Sequence, residues 1–251
     1  MYEFIVAGLI FLLLVAASVG TLLSHGSMPE HHRQDDTHAV IRLTTNIFVV
    51  MTSLVLGLLI NSAKNTLDLI DRNLHSFATE LVLLDENLRR FGPEASVPRQ
   101  RLADYVRQAV AGTWTPSGDP VIDDRKAEGL LNEVGDRLLA IKPGDPDKLE
   151  LWRNTQLAYQ NVVRKRWSLV EESEGTIPTP LLCVVVAWMV LIFASFGYRA
   201  PRNVVVVVTF VVSALLISGA IYLILDMESP FSGPMQVSPR PLLRVLAHFQ
   251  R

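Results

Sequence analysis

Between Leu67 and Phe91 the apolar residues recur at Leu67, Ile70, Leu74, Phe77, Leu81, Leu84, Leu88 and Phe91, in steps that alternate three and four. That spacing draws one apolar edge along an α-helix whose other sides are polar. The stripe starts just beyond Leu43–Ala63, a run with no charged residue, and neither Pro nor Gly intervenes between Gly57 and Gly92. The pattern predicts one long helix that begins as a membrane span and continues as a water-facing rod. Residues 64–91 extend about 42 Å beyond the span at 1.5 Å per residue. The same edge reaches back through Ile60 and Leu56, so one face packs against a partner at every depth. Gly92-Pro93 ends the helix.

Three more stretches lack Asp, Glu, Lys and Arg: Phe4–Leu23, Thr176–Tyr198 and Asn203–Leu225. Each has about the 20 residues that a bilayer crossing needs. Val204–Val208 suits a strand by propensity, but an isolated span in lipid must satisfy its own backbone, which favours helix. The leading "MYEF" carries an acid and no base, so the first stretch reads as a retained span rather than a cleaved leader. The loop "SHGSMPEHHRQDDTHAVIR" holds a helix start, with Pro29 in the first turn and Ser27 or Gly26 as cap, running into span two.

The region between spans two and three reads as helical throughout. A second helix runs from about Pro98, with Leu102, Tyr105, Val106 and Ala109 on one face. The turn-rich linker "GTWTPSGDPVID" leads to a third, "DRKAEGLLNEVGDRLLAI". Asp145 caps and Pro146 starts a fourth, which is expected to bury Leu149, Trp152, Tyr159, Val163 and Val170. The predicted fold is therefore an all-α membrane protein: four transmembrane helices, with a helical extramembrane bundle inserted between spans two and three. The expected parts are 1–63 (spans one and two), 64–174 (helical domain), 175–226 (spans three and four) and 227–251 (tail).

Composition narrows the function. The 251 residues are 49% hydrophobic with a net charge of −2, which offers no basic face for nucleic acid. The single cysteine, Cys183, excludes an intramolecular disulfide; its apolar surroundings suggest a buried, inert thiol. Lys64, Arg72, Arg164, Lys165, Arg166, Arg240 and Arg244 flank the spans on the side of the central region. Arg33, Arg42, Arg199 and Arg202 lie in the opposite loops. The excess places the central region and both termini in the cytoplasm.

No catalytic signature is present: no G-x-S-x-G, no P-loop and no Rossmann glycine pattern. The chain is not expected to be an enzyme or to need a cofactor. Span two instead carries Thr45, Val49, Thr52, Ser53, Leu56, Ile60 and Asn61 near one face, with Lys64 at its inner end. Such a stripe can line a pore, its apolar rings gating by dewetting, or can hydrogen-bond between packed helices. Ala16 and Gly20, and Ala214 and Ser218, lie four apart and permit close helix packing. In the first loop His31, His32, Asp35, Asp36 and His38 form a candidate metal cluster at helical spacing, without a strict zinc signature. Asp226, Glu228, Pro230 and Phe231 open the tail, which either packs on the helical bundle or clasps a neighbouring subunit.

These residues carry a resemblance. Span two and its continuation, "LVLGLLINSAKNTLDLIDRNLHSFATELVLLDENLRRFGPEA", resemble the bestrophin-like group of uncharacterised four-span bacterial membrane proteins. The plan of two spans, helical insert and two spans is similar across the whole chain. "LDMESPFSG" is similar to the Pro-Phe-Gly segment that follows the last span of the bestrophin ion channels. Those channels carry an Arg–Asn–Tyr–Asp–Arg–Trp type motif after span two, where this chain has Asn61, Lys64, Asn65 and Asp68 and no Tyr or Trp. Their acidic calcium clasp is reduced here to Asp226 and Glu228, so no calcium site is expected. The resemblance implies a bacterial inner-membrane protein with cytoplasmic termini, surrounded by lipid. It also implies self-association as a pentamer, with small ions passing along span two. The competing expectation is a non-conducting membrane scaffold or sensor whose helical domain binds a partner.

Overall fold

The computed structural model describes residues 2–24, 35–114, 125–173 and 178–250. Among them every regular element is helical. The order is α1 (Tyr2–Ser24), α2 (Asp35–Phe91), a 3-10 turn (Pro93–Ala95), α3 (Ser96–Thr113), α4 (Arg125–Leu139), α5 (Pro146–Glu172), α6 (Thr179–Arg199), α7 (Val204–Met227) and α8 (Arg240–Phe249). Four helices are long and apolar enough to cross a membrane: α1, α2 from Val40, α6 and α7. The valine run at 204–208 is helical, as backbone satisfaction in lipid requires. Helix α2 passes through Asn61–Asn65 without a break and stops at Gly92, whose φ of +89° suits a residue without Cβ.

The chain divides into two compact units. Met1–Asn65 and Thr176–Glu228 make the first, the membrane unit. Its core joins Ile10 and Leu14 of α1, Leu59 and Ala63 of α2, Met189 and Phe193 of α6, and Ala214 and Ile221 of α7. Helix α1 packs against α6 and α7. Helices α1 and α6 approach closely at Gly197, where any Cβ would strike the Ser18 carbonyl and the Thr21 hydroxyl. Ser18 and Thr21 return their hydroxyls to Leu14 O (3.0 Å) and Ala17 O (2.8 Å), so no polar group is stranded there. At the other end of the hairpin turn, Arg202 Nη2 donates to Leu23 O at 2.8 Å, placing a cation on the last carbonyls of α1. Of the two small-residue pairs, Ala214 and Ser218 are buried, whereas Ala16 and Gly20 lie on the exposed side of α1. The packed side of α1 runs instead through Ile10, Leu14, Ser18 and Leu22. Cys183 is exposed rather than buried, because α6 turns Val185 and Met189 inward and leaves Cys183 outside.

Thr66–Gly175 and Ser229–Arg251 make the second unit, a helical bundle. The heptad edge of α2 is its spine: Ile70, Leu74, Phe77, Leu81, Leu84, Leu88 and Phe91 are all buried, and Leu67 packs partly against them. Each such side chain contributes about 1.5–3 kcal/mol when fully buried. Leu102, Tyr105 and Val106 of α3 face this core, with Ala109 at its edge. Helix α4 adds Ala127, Leu131, Val134 and Leu138. Helix α5 begins where expected, with the Asp145 carboxylate accepting from Lys148 N at 2.7 Å and Pro146 in the first turn. Its inward face differs from the expected one. Thr155, Ala158, Val162, Arg166 and Leu169 are buried, Leu149 is exposed, and Trp152, Tyr159, Val163 and Val170 are half-buried. Thr155 can enter the core because its hydroxyl donates to Leu151 O at 2.7 Å. The four half-buried aromatic and branched residues flank that face and cover its edges. Trp152 reaches Leu138 O with its ring N–H at 3.0 Å, and Tyr159 reaches Leu131 O at 3.2 Å.

Candidate functional site

Helix α2 carries the candidate site. Within the membrane unit the predicted stripe splits by burial. Thr45 and Thr52 are buried within the protomer, Leu56 is half-buried, and Val49, Ser53, Ile60, Asn61 and Lys64 are exposed. The division follows from register. Thr45, Thr52, Leu59 and Ala63 fall on one buried edge of α2, and Leu59 and Ala63 join the core with α1, α6 and α7. At 100° per residue, Asn61 stands on the opposite side. That opposite side is open along the span, with Ile47, Val50, Leu54 and Leu58 all more than half exposed. Asn61 and Asn65 continue it.

In the bundle, the part of α2 in the same register exposes Asp68, Arg72, His75, Thr79 and Leu83. His75 Nδ1 lies 2.9 Å from Asp71 O and 3.6 Å from Asp71 Oδ2, so the imidazole is held to its own helix. Within the membrane unit the open side of α2 therefore changes character from apolar to amide. The stripe read from the sequence includes Asn61 and Lys64 but not the apolar members of this face, which look like any lipid-facing position.

A second polar arrangement sits where α2, α3 and α8 meet. Asp85 is almost wholly buried at 1% exposure, and Arg99 clamps it with Nε at 2.6 Å and Nη2 at 3.3 Å. The hydrogen bond to Asp85 raises the Arg99 guanidinium above its ordinary value, against an opposing effect of burial. Arg99 Nη2 also donates to Phe249 O at 3.3 Å, and His248 Nε2 lies 3.3 Å from Glu86 Oε1 and 4.0 Å from Asp85 Oδ2. The cluster fastens the last turn of α8 to the bundle.

The tail residues fall in both units. Asp226 is buried and Glu228 half-buried at the end of α7. Pro230 and Phe231 are buried in the bundle. Phe231 meets Trp114 edge-on with centroids 5.3 Å apart. Trp114 Nε1 donates to Val237 O at 2.8 Å, and Val237 N donates to Pro230 O at 2.7 Å. The tail thus packs on its own bundle, with Leu242 and Val245 of α8 in the core. A cavity of about 60 Å³ beside Trp114 and Phe231 is far below the roughly 300 Å³ of small-molecule sites.

Tyr105 lines that cavity and is fully buried; burial pushes its phenol upward from the ordinary 10.0, with the Arg166 charge opposing. A phenol raised in the folded state holds its proton more tightly there than in the unfolded chain. Its contribution is thus complete below pH 10 and is lost as pH climbs above that value. Bundle unfolding in alkali should therefore set in above about pH 10, and Tyr105→Phe should remove part of the pH slope. Circular dichroism titration of both proteins measures this; equal slopes would exclude Tyr105 as the cause.

Among the described residues no group of three or more His, Cys, Asp or Glu could hold a metal ion. His31 and His32 lie outside the described residues, as do the side chains of Asp35, Asp36 and His38.

Residues 11–242 match the model of the Bestrophin-like domain family. Two solved structures with similar folds are point variants of a bacterial bestrophin homologue from Klebsiella pneumoniae. They superpose with TM-scores of 0.65 and 0.64 at 13% identity, each covering 97% of both chains. A third, described only as a membrane protein, has a TM-score of 0.64 at 13% identity with the same coverage. No curated protein matches the chain.

Proposed function

The chain belongs to the Bestrophin-like domain family, and from that premise we propose that it is a homo-oligomeric ion channel whose pore is lined by α2. The observation that carries the proposal is the open side of α2. An apolar stretch at Val50, Leu54 and Leu58 passes without a helix break into Asn61, Lys64 and Asn65. Around a symmetry axis these would form apolar rings followed by a ring of amides and cations, an arrangement able to gate by dewetting and to solvate ions. Thr45 and Thr52 support the helix from behind, and Ser53 and Ile60 stand at the sides. The excess of Lys and Arg beside the bundle supports a cytoplasmic bundle and termini in a bacterial inner membrane. A pentamer is the subunit number that the resemblance to bestrophins suggests.

Ion flux into liposomes tests the reading. Purified protein should conduct above empty vesicles, and Leu58→Asn should raise flux on the order of tenfold or more by wetting the apolar stretch. Asn61→Cys in a Cys183→Ala background should become blockable by a charged thiol reagent. Ring-shaped particles that pass no ion in any of these variants would return the protein to the scaffold or sensor reading.

A further inference from the structure

The membrane unit contains a groove of about 530 Å³ bounded by α2, α6 and α7. Its volume falls within the roughly 300–1,000 Å³ of sites for drug-sized molecules. Leu56, Met189, Phe193, Phe196, Phe210 and Ile217 are among its apolar lining, and no charged residue lines it. Phe48 and Trp188, stacked with centroids 6.4 Å apart, tie α2 to α6 beside it.

Four hydroxyl residues line the groove, Thr52, Ser53, Thr209 and Ser213, and Thr52 is the one whose hydroxyl is buried without a partner. Ser53 donates to Val49 O at 2.8 Å and Thr209 to Val205 O at 2.9 Å. Thr45, one heptad before Thr52 on the same helix, donates to Ile41 O at 2.7 Å. These hydroxyls are satisfied by their own helices, the usual solution in lipid. Thr52 forgoes it: the residue is 6% exposed, and its Oγ1 is buried with no hydrogen-bond partner. A buried hydroxyl left unmatched is costly. Thr52 is among the residues that line the groove, and a χ1 rotation, which threonine in a helix permits, exchanges the positions of its hydroxyl and methyl.

We propose that this groove binds a neutral amphiphile with an apolar body and one hydroxyl, a long-chain alcohol entering from the bilayer. Neutrality follows from walls without charge at membrane depth, where an ion would be unsolvated. The single polar group follows from the one buried hydroxyl in the lining that lacks a partner, that of Thr52. The apolar body follows from the aromatic and aliphatic walls. Because α2 forms one wall, occupancy biases its opposite, open side; this consequence alone rests on the channel reading.

The test uses the full chain in lipid nanodiscs and a dodecan-1-ol bearing a diazirine. Photoadducts should concentrate on residues 49–56, 189–196 and 209–217. Unlabelled dodecanol should compete about fivefold better than dodecane, the difference one hydrogen bond makes. Thr52→Val, which keeps the shape, should make the two competitors equal, and Phe193→Trp should fill the groove and abolish site labelling. Adducts spread evenly over lipid-facing residues such as Leu12 and Leu216, or equal competition in the unaltered protein, would overturn the proposal. So would efficient cross-linking of Ser53→Cys to a neighbouring copy, which would show that a second chain fills the groove. Labelling is read without any flux: a protein that labels but does not conduct keeps this site and loses the channel, and the reverse result does the opposite.

Discussion

Arg99→Ala is expected to lower the stability of the helical bundle by about 3–5 kcal/mol, the cost of leaving a buried carboxylate without its ion-pair partner. Asp85 has 1% of its side chain exposed and is held by two N–H groups of one guanidinium. Removing that fork leaves a charge that water cannot reach, with His248 Nε2 still 4.0 Å away. Arg99→Lys retains the charge but offers no planar fork, so it should recover only part of the loss. The double change Asp85→Leu with Arg99→Met should cost less than Arg99→Ala alone, because it strands no charge. Chemical denaturation of the detergent-solubilised protein, followed by far-ultraviolet circular dichroism, gives the values. A loss below about 1 kcal/mol for Arg99→Ala would place the pair with ordinary surface ion pairs.

Gly197→Ala is expected to cost the membrane unit about 3 kcal/mol, the upper part of the usual range for overpacking. The added methyl meets the Ser18 carbonyl, which belongs to helix backbone and cannot move without α1. Gly135→Ala provides the contrast. There the obstruction is the hydroxyl end of the Tyr159 ring, a side chain that is only half-buried and can turn aside. Gly135→Ala should therefore cost less than half as much. Thermal unfolding of both variants checks the order; equal losses would mean that the α1–α6 approach is softer than its geometry implies.

These two sites mark the limit of what was legible in the chain. The apolar repeat from Leu67 to Phe91 was readable because burial there is uniformly apolar, and the structure buries seven of its eight positions. The same logic fails on α5, whose buried face includes Thr155 and Arg166. Polar residues that enter a core with their own hydrogen bonds erase the periodic signal and shift the apparent face by one position. Asp85 was hidden for the same reason: a lone acid in a charged helix reads as solvated until Arg99, fourteen residues on, closes over it. Gly197 gave no signal, since a single glycine in a span has many roles. The candidate site was half visible. Polarity singled out Asn61 and Lys64, but only coordinates show that Thr45 and Thr52 turn inward while Val50, Leu54 and Leu58 remain open.

The bundle core has a consequence for biosynthesis. Phe231, Val237, Leu242 and Val245 lie in it beside residues 70–169, so its last pieces leave the ribosome after α6 and α7 have been made. The domain cannot close while translation is still feeding those two helices to the insertion machinery, and until then Leu74, Phe77, Tyr105 and Leu169 lack their final cover. Nascent chains stalled before Phe231 should be protease-sensitive and prone to chaperone capture, because unfinished cores expose apolar surface. Quality control can therefore read from this one domain whether translation has passed α8.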